Sequence, residues 1–343
     1  MTTLEDVAKR ANVSTMTVSR ILNNPQSVKP ATRERVQKII EEMNYRPNLL
    51  AKSLARGSSR TIGVIYSSIY NQAYLDMIMG INEVAYANDY CIMSTNVDNY
   101  QNAVKSFEML IANQIDGVIV LPMEMSMSTR EDFNASIAEM GDFYHYLEKV
   151  MKDLKLPALT VSQRCEGMAN ISFDFVRLAE ITMDYLLGIG KRSIAMISSV
   201  VQDGLWLEKE RVYERRMREM GLEQFIRIER RPATVQGGHA AMDSLCRSGA
   251  LPDAVYCAND YFAIGAIQSA WSNGLRVPDE ISVIGNDDVQ FSEMTFPKLT
   301  TASLNSRLAG KRAMEMILRR IRGEQVEDAV MEHFMVIRDS VRA

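Results

Sequence analysis

The feature that most constrains the fold is an alternation of short apolar runs with helix-like segments, which begins near residue 60. Thr61–Ile65 and Gly117–Leu121 are typical of these runs, which are short enough to be buried strands. Further runs occur at Tyr90–Ser94, Ser193–Ser198, Ala254–Cys257 and Ile281–Gly285, with helices predicted between strands, as at Tyr74–Asn88 and Asn102–Asn113. This alternation predicts βαβ units in parallel sheets. Two such halves would form a bilobed protein that binds its ligand beyond the carboxyl ends of the strands.

Charge divides the chain into two parts. Residues 1–60 hold 11 Lys/Arg against 5 Asp/Glu, whereas the remainder holds 28 Lys/Arg against 38 Asp/Glu. A basic N-terminal segment on an acidic body indicates that this segment alone binds a polyanion.

The basic segment has the pattern of three short helices. Apolar residues recur at helical spacing in Leu4–Ala11, Thr15–Asn23 and Thr32–Met43. Asn12 suits a tight turn after the first helix, and Ser14 suits the N-cap of the second. This arrangement predicts a helix-turn-helix, in which the second helix enters the major groove of DNA.

The start of that second helix carries side chains suited to DNA. Thr15, Met16 and Arg20 would face base edges. Arginine binds guanine bidentately, and methionine can contact a thymine methyl group. Polar side chains nearby suit phosphates, which fix position without reading sequence. The candidate phosphate contacts are Thr3, Ser14, Thr17, Ser19 and Asn23.

The composition argues against catalysis, metal binding and membrane insertion. The four cysteines form no C-x-x-C pair, there are only three histidines, and no P-loop or nucleophile–base motif occurs. We therefore expect no metal, no cofactor and no enzyme activity. No run of 18 apolar residues exists, and the first residues lack the basic and apolar regions of a secretory signal. These absences predict a cytoplasmic protein without membrane contact.

Motifs along nearly the whole chain resemble one family. The headpiece reads Leu4-x-Asp6-Val7-Ala8, Val13-Ser14-x-x-Thr17-Val18-Ser19-Arg20 and Tyr45-x-Pro47-Asn48, and the core contains Ala258-Asn259-Asp260 and Pro297-x-Leu299-Thr300-Thr301. The chain thereby resembles the LacI/GalR (lactose/galactose repressor) family of transcriptional regulators. The resemblance implies an all-α helix-turn-helix headpiece with a hinge helix, followed by a bilobed α/β periplasmic-binding-protein-like core with two parallel sheets.

The resemblance also implies domain bounds. The DNA-binding domain would span 1–46, the hinge and linker 47–60, and the effector-binding and dimerisation core 61–343. Within the core, the N-subdomain would comprise about 61–161 with 290–322, and the C-subdomain about 162–289 with 323–343.

The resemblance assigns the hinge to the minor groove of DNA. Two hinge helices would pair there, with contacts from Asn48, Ala51, Leu54 and Ala55. Leu54 would wedge into the central base step and kink the DNA. Such a short helix is marginal alone, so we expect it to fold on DNA.

For the effector site, the resemblance points to Arg211 and Asp287 as ligand contacts, joined by Ser67, Ser162 and Asn259. A guanidinium and a carboxylate together can hold adjacent hydroxyls. Departures from the family pattern at Arg216, Met217 and Asn286 indicate a pocket unlike that of a simple hexose binder. The family implies a carbohydrate effector; a nucleobase or nucleoside, or a phosphoprotein partner, is the alternative.

The resulting prediction is a homodimeric repressor of a pseudo-palindromic operator, in which the effector changes the angle between the lobes. No apolar heptad repeat follows Ser340, so a dimer is favoured over a tetramer. A solute-binding protein would share the core but would need export, and an enzyme would need a reactive cluster that the sequence lacks.

Segment 123–156 is longer than the family pattern. Ser128–Glu131 has the pattern of a capping box, which predicts a helix to Met140, a stop at Gly141 and a second helix over Phe143–Leu154. The segment either reshapes the cleft rim or contacts a partner, or it is a solvent-facing elaboration.

Overall fold

A computed structural model describes residues 2–45, 57–67, 72–97, 99–122, 130–201 and 204–342. The chain forms two compact units, 1–59 and 60–343. The candidate hinge contacts lie outside the described residues, so the hinge helix stays a prediction; these are Asn48, Ala51, Leu54 and Ala55.

The first unit is a bundle of α1 (Leu4–Ala11), α2 (Thr15–Asn23) and α3 (Pro30–Glu42). The predicted bounds of α1 and α2 are confirmed, whereas α3 begins at Pro30 rather than Thr32. Proline is favoured in the first turn of a helix because it needs no N–H donor there. The core of this bundle consists of Val7, Ala8, Ala11, Val18, Ile21 and Val36.

Local chemistry sets the ends of α1. Thr3 and Asp6 form a reciprocal capping box at its start. Asn12 ends the helix in the left-handed conformation, with φ 49°, which asparagine tolerates better than most residues. The turn between α1 and α2 therefore follows directly from the sequence.

The second unit is built from alternating strands and helices. In chain order these are β1 (Thr61–Tyr66), α4 (Gln72–Ala87), β2 (Cys91–Asn96), α5 (Tyr100–Ala112), β3 (Gly117–Val120), α6 (Arg130–Leu154), β4 (Ala158–Val161), β5 (Ala169–Phe173), α7 (Phe175–Gly188), β6 (Ile194–Ser199), α8 (Gly204–Glu219), β7 (Arg227–Arg231), α9 (Val235–Arg247), β8 (Ala254–Cys257), α10 (Asp260–Ser272), β9 (Ser282–Asp287), β10 (Thr300–Ser303), α11 (Ser306–Ile321), β11 (Ala329–Met331) and β12 (Phe334–Val336).

The strands form two sheets, as predicted. The first sheet has the order β11-β5-β4-β3-β1-β2, and the second has the order β12-β10-β9-β8-β6-β7. Neighbouring strands are parallel throughout the first sheet. In the second sheet only β12 runs antiparallel, along β10. We refer to the sheets with their covering helices as the first lobe and the second lobe.

Each lobe contains one pair of helices in close contact through glycine. In the first lobe, a Cβ atom on Gly310 of α11 would collide with the carbonyl oxygen of Met77 in α4. In the second lobe, a Cβ atom on Gly265 of α10 would collide with the carbonyl oxygen of Val235 in α9. Only glycine permits the backbones to approach this closely.

The chain crosses between the lobes three times, after β5, after β10 and between β11 and β12. This corrects the predicted subdomain bounds. The pairing of β5 with β4 and of β11 with β5 places residues 169–173 and 329–331 in the first lobe. The pairing of β10 with β9 places residues 300–303 in the second lobe. Strand pairing decides lobe membership, and a single sequence does not show it.

Segment 123–156 contains one continuous helix, α6, where two were predicted. The predicted stop at Gly141 is wrong, because a glycine within a helix costs only about 1 kcal/mol. Packing offsets that cost, since Phe143 and Leu147 are fully buried in one cluster with Phe107. Residues 123–129 and the side chains of 130–140 lie outside the description, as does the predicted capping box.

Candidate DNA interface and effector site

The predicted base-contacting residues lie on the exposed side of α2. Met16 is 63% exposed, and Thr15 and Arg20 are also exposed. Arg20 Nη2 lies 3.6 Å from Met16 Sδ, one helical turn away. Val18 and Ile21 are buried on the opposite side. The exposed row therefore has the geometry that major-groove contact requires.

The hydroxyl groups nearby already cap helices. Ser14 Oγ accepts from the backbone N–H of Thr17 at 3.1 Å and lies 2.9 Å from Thr17 Oγ1. Thr3 Oγ1 donates to Asp6 Oδ2 at 2.7 Å. Ser19 is half-buried, and the side chain of Asn23 lies outside the description. A phosphate contact by Thr3, Ser14 or Thr17 would therefore share the hydroxyl with a cap.

A hydrogen bond joins the carboxyl edges of the two sheets. The backbone N–H of Gln72, at the start of α4, donates to Tyr261 Oη in the first turn of α10 at 3.2 Å. Helix α4 follows β1 and α10 follows β8, so each helix starts at the carboxyl edge of its sheet. The strand order reverses direction at β1/β3 and at β6/β8, which are the positions where such sheets bind ligands.

The first lobe places two candidate serines at this edge. Ser67 follows β1 and is buried, and its Oγ donates to the carbonyl oxygen of Pro122 at 3.3 Å. Ser162 follows β4 in a left-handed conformation with φ 68°. Its backbone N–H donates to the carbonyl oxygen of Ile171 at 2.7 Å. Both serines therefore lie at strand ends.

The second lobe offers a buried cation, which the sequence analysis missed. Lys209 in α8 is 1% exposed, and its Nζ donates to the carbonyl oxygen of Ala258, just beyond β8, at 2.7 Å. The same Nζ lies 5.6 Å from the centre of the Phe175 ring and 5.9 Å from that of Trp206. Cations are attracted to aromatic faces at these distances. Lys209, Phe175 and Trp206 thus form one cationic and aromatic cluster, which we call the lysine cluster.

Arg211, the predicted contact, does not join this cluster. It lies two residues after Lys209 on α8 and is exposed. Each residue of a helix turns the side chain by about 100°, so positions two apart point to nearly opposite sides. The sequence did contain a signal for the burial of Lys209. Lys209, Tyr213 and Met217 follow helical spacing, and all three are buried. A charged residue on an otherwise apolar helical face therefore indicates a candidate functional side chain.

Asn259 lies at the carboxyl end of β8, as expected, but its side chain is engaged. Asn259 Oδ1 accepts from the backbone N–H of Phe262 at 2.9 Å and caps α10. The side chain is 7% exposed. It therefore sets the start of α10, and with it the position of Tyr261.

Asp287 ends β9 in a strained turn. Asp287 has φ 112° and Asp288 has φ 59°, two consecutive left-handed residues that are not glycine. Such conformations cost about 1–3 kcal/mol each and persist where the surroundings impose them. Arg338 Nη2 donates to Asp288 Oδ1 at 2.8 Å, and Arg338 Nη1 donates to the carbonyl oxygen of Leu299 at 2.9 Å. The C-terminal segment thus holds the turn that carries Asp287.

The buried carboxyl group of Asp260 also stabilises the turn that carries Asp287. Asp260 is fully buried and accepts from the backbone N–H of Val289 at 2.9 Å and from Thr301 Oγ1 at 2.6 Å. Burial, reinforced by the charge of Asp287, raises the pKa of Asp260 well above its usual range. A negative charge at this edge of the sheet is therefore energetically unfavourable, and two hydrogen bonds hold the Asp260 carboxyl group in place.

The departures from the family pattern do not shape the pocket directly. Asn286 is fully buried, where it accepts from Tyr256 Oη at 2.9 Å and donates to Thr182 Oγ1 at 3.0 Å. Arg216 pairs with Asp184 and Glu219. Met217 lies in the core. All three positions stabilise the second lobe.

The described ranges contain neither a candidate metal cluster nor a candidate membrane-spanning helix. Among those residues, no group of three or more His, Cys, Asp or Glu is arranged to hold a metal ion. Within the same ranges, no helix combines the length and apolar character needed to cross a bilayer. The cysteines are free thiols, and burial raises the pKa of Cys165 to about 12, which disfavours the reactive thiolate.

Two family models match the chain. The model described as bacterial regulatory proteins of the lacI family matches residues 3–48. The model described as a periplasmic binding protein-like domain matches residues 183–341.

Individual relatives match over the full length. The HTH-type transcriptional repressor PurR of Vibrio campbellii is 30% identical over 100% of this chain and 99% of its own length. The repressor CytR of Escherichia coli K12 is 31% identical over 99% of this chain and 96% of its own. A crystal structure of the Lac repressor dimer bound to operator and anti-inducer matches with a TM-score of 0.77 at 25% identity, covering 100% of this chain and 99% of that one. A CelR–cellobiose complex shares the fold, with a TM-score of 0.63 at 24% identity over 99% of this chain and 100% of that one.

A helix-turn-helix unit followed by a two-lobed α/β core defines a ligand-responsive DNA-binding regulator. The chain belongs to the LacI family. It is a transcriptional repressor and not an enzyme, as the sequence predicted.

Proposed function

We propose that this repressor responds to a nucleobase or nucleoside bound in the cleft between the lobes, rather than to the sugar that the family resemblance first suggested. The lysine cluster carries the proposal. Phe175 and Trp206 offer aromatic faces, and a base can stack on such faces with a gain of about 1–3 kcal/mol.

The polar groups complement a base as well. The Lys209 ammonium is a donor that suits the carbonyl oxygens and ring nitrogens of a base. The Asp287 carboxylate is an acceptor that suits an exocyclic amine or a ribose hydroxyl. Ser67 and Asn259 follow the carboxyl ends of β1 and β8. The similarity to PurR and CytR supports this effector class over carbohydrate.

On the DNA side, Thr15, Met16 and Arg20 would read bases in the major groove. Each headpiece would bind one half of a pseudo-palindromic operator in the cytoplasm, and Leu54 of each hinge would enter the minor groove between the halves. Effector binding would change the angle between the lobes and, through the hinges, operator affinity. By linkage, operator binding must change effector affinity by the same factor.

An apolar surface on the second lobe supports a homodimer. Trp271, Met294 and Phe296 are 53%, 66% and 79% exposed. They border a cavity of about 710 Å³, which Phe291 also lines. Contiguous exposed apolar surfaces of this kind mark protein interfaces. A second copy of the chain is the occupant that a two-part operator requires.

Selection from random DNA at about 0.15 M salt tests operator recognition. We expect a pseudo-palindromic site, and we expect Arg20→Glu to weaken its binding by about 100-fold because a bidentate base contact contributes about 1–3 kcal/mol. Arg35→Glu is the matched control, since it makes the same charge change on the exposed side of α3. Binding of wild type without preference over random DNA would contradict specific recognition.

Thermal shift tests the effector class. The probes are hypoxanthine, guanine, adenosine and cytidine, compared with ribose, glucose and cellobiose. A ligand at about 100 times its Kd stabilises the protein by about 2.7 kcal/mol. We expect a base or nucleoside to raise Tm, Lys209→Met to reduce the shift by about half or more and Arg211→Met to preserve it. A shift with sugars alone would reject the proposal.

A further inference from the structure

The three segments that cross between the lobes meet at one histidine. His333 lies in the third crossing, between β11 and β12. Its Nε2 lies 3.2 Å from the backbone nitrogen of Asp174, in the first crossing between β5 and α7. Its Nδ1 lies 3.3 Å from the carbonyl oxygen of Ser303, where β10 ends and the second crossing begins. One side chain therefore contacts all three connections.

The hydrogen bonds define the protonation of the ring. A backbone N–H can only donate, so Nε2 accepts and carries no proton. Burial lowers the pKa of His333, and the positive charge of Lys209 lowers it further, while the carboxylate of Asp174 acts in the opposite direction. The ring is therefore neutral near pH 7, and its proton lies on Nδ1, which donates to Ser303.

The ring also packs against the first lobe. It stacks on Phe173, the last residue of β5, with ring centres 6.2 Å apart and planes at 26°. Phe175, two residues further along the same crossing, belongs to the lysine cluster. The histidine and the candidate effector site therefore share one short segment of chain.

We propose that His333 is a hinge clamp: it ties the three interlobe connections together and so sets the angle between the lobes that the effector must change. Hinge motion is absorbed by a few residues in connecting segments, so a group bound to all of them restrains the motion. His333 is thereby a positioning residue for the allosteric response. The response itself rests on the proposed function.

The test measures the distance between the lobes. Spin labels are placed on Tyr86→Cys in the first lobe and Leu251→Cys in the second, both exposed positions, in a background with Cys91→Ser and Cys246→Ser. Labelled protein is diluted with unlabelled protein, so that a dimer carries one labelled copy. His333→Phe keeps the stacked ring but removes both hydrogen bonds. We expect a narrow distance distribution in wild type and a broader or two-peaked one in His333→Phe.

Two further variants separate the clamp from a general loss of stability. His333→Gln retains a donor and an acceptor, and we expect it to restore the narrow distribution. His239→Phe makes the same substitution in α9, away from the crossings, and we expect no change. A wild-type distribution in His333→Phe would overturn the clamp.

A second measurement addresses the response. In His333→Phe, we expect the change in operator affinity caused by hypoxanthine or cytidine to fall by about fivefold or more, within the usual range of allosteric coupling. If neither probe changes operator affinity in wild type, the proposed effector class fails, whereas the distance distribution still decides the clamp. If wild type responds and His333→Phe responds equally, the clamp is rejected while the effector class stands.

Discussion

The two lobes share their architecture but differ at the edge that faces the cleft. Both place their first strand next to an edge strand, in the partial orders β4-β3-β1-β2 and β9-β8-β6-β7. Each also packs one helix pair through glycine. At the carboxyl edges of the sheets, however, the candidate contacts of the first lobe are the serines Ser67 and Ser162, whereas those of the second lobe are Lys209, Asn259 and Asp287.

This difference indicates that the two lobes would contribute unequally to effector recognition. Charged groups near a buried edge need hydrogen-bond partners in a rigid frame, because desolvation disfavours charge. The second lobe supplies that frame through Asp260, Arg338 and the α10 cap. Under the proposed function, the second lobe would therefore contribute more than the first to effector recognition.

The largest expected effect concerns the frame of the second lobe. Arg338 is 12% exposed where it pairs with Asp288, so Arg338→Met should destabilise the second lobe by about 3 kcal/mol, as breaking a buried pair does. Both tryptophans, Trp206 and Trp271, belong to helices of this lobe, so tryptophan fluorescence during urea unfolding reports it selectively.

The matched control is the exposed pair of Arg342 with Asp279. Arg342 is 66% exposed, and Arg342→Met should cost about 0–1 kcal/mol. Equal losses of unfolding free energy in Arg338→Met and Arg342→Met would show that Arg338 does not support the strained turn.

The next effect concerns ligand recognition. Lys209→Met keeps the length of the side chain and removes its charge, and hydrogen bonds to charged groups contribute about 1.5–3 kcal/mol. We therefore expect effector affinity, measured by calorimetry with the nucleoside or base found by thermal shift, to fall by about 10- to 100-fold. Ser67→Ala, at the edge of the first lobe, should lower it by less than about fivefold. A larger loss of effector affinity from Ser67→Ala than from Lys209→Met would show that the first lobe contributes more to recognition than the second.

The smallest effect concerns pH. Because burial raises the pKa of Asp260, its contribution to stability is present below about pH 4, near the unfolded pKa, and is lost as pH rises through the folded pKa. Asp260→Asn cannot titrate, so the Tm of the variant minus that of wild type should increase from pH 4 to pH 8, by about 2–4 °C for each kcal/mol.

Asp76 in α4 provides the comparison in the first lobe. Burial raises its pKa too, but the group is only half-buried. We expect the Tm of Asp76→Asn minus that of wild type to increase from pH 4 to pH 8 as well, but by less than for Asp260→Asn. Parallel melting curves for wild type and Asp260→Asn across this pH range would argue against a strained buried charge in the second lobe.

Much of the fold followed from local patterns. The bounds of α1 and α2, and the parallel strands of both sheets, were predictable because caps and apolar spacing act over a few residues. Ser67, Asn259 and Asp287 also lie at strand ends, as the motifs indicated. The continuous α6 was not predictable, because burial of Phe143 and Leu147 overrides the local preference of Gly141.

The sequence by itself determined the class of fold, the basic headpiece and the family, because each depends on short motifs or on composition. Only the tertiary structure decided that Lys209 and not Arg211 lies in the buried cluster, which lobe receives β5, β10 and β11, and that His333 contacts all three crossings. These features depend on contacts between segments up to about half the chain apart, and no local pattern encodes which distant segments will meet.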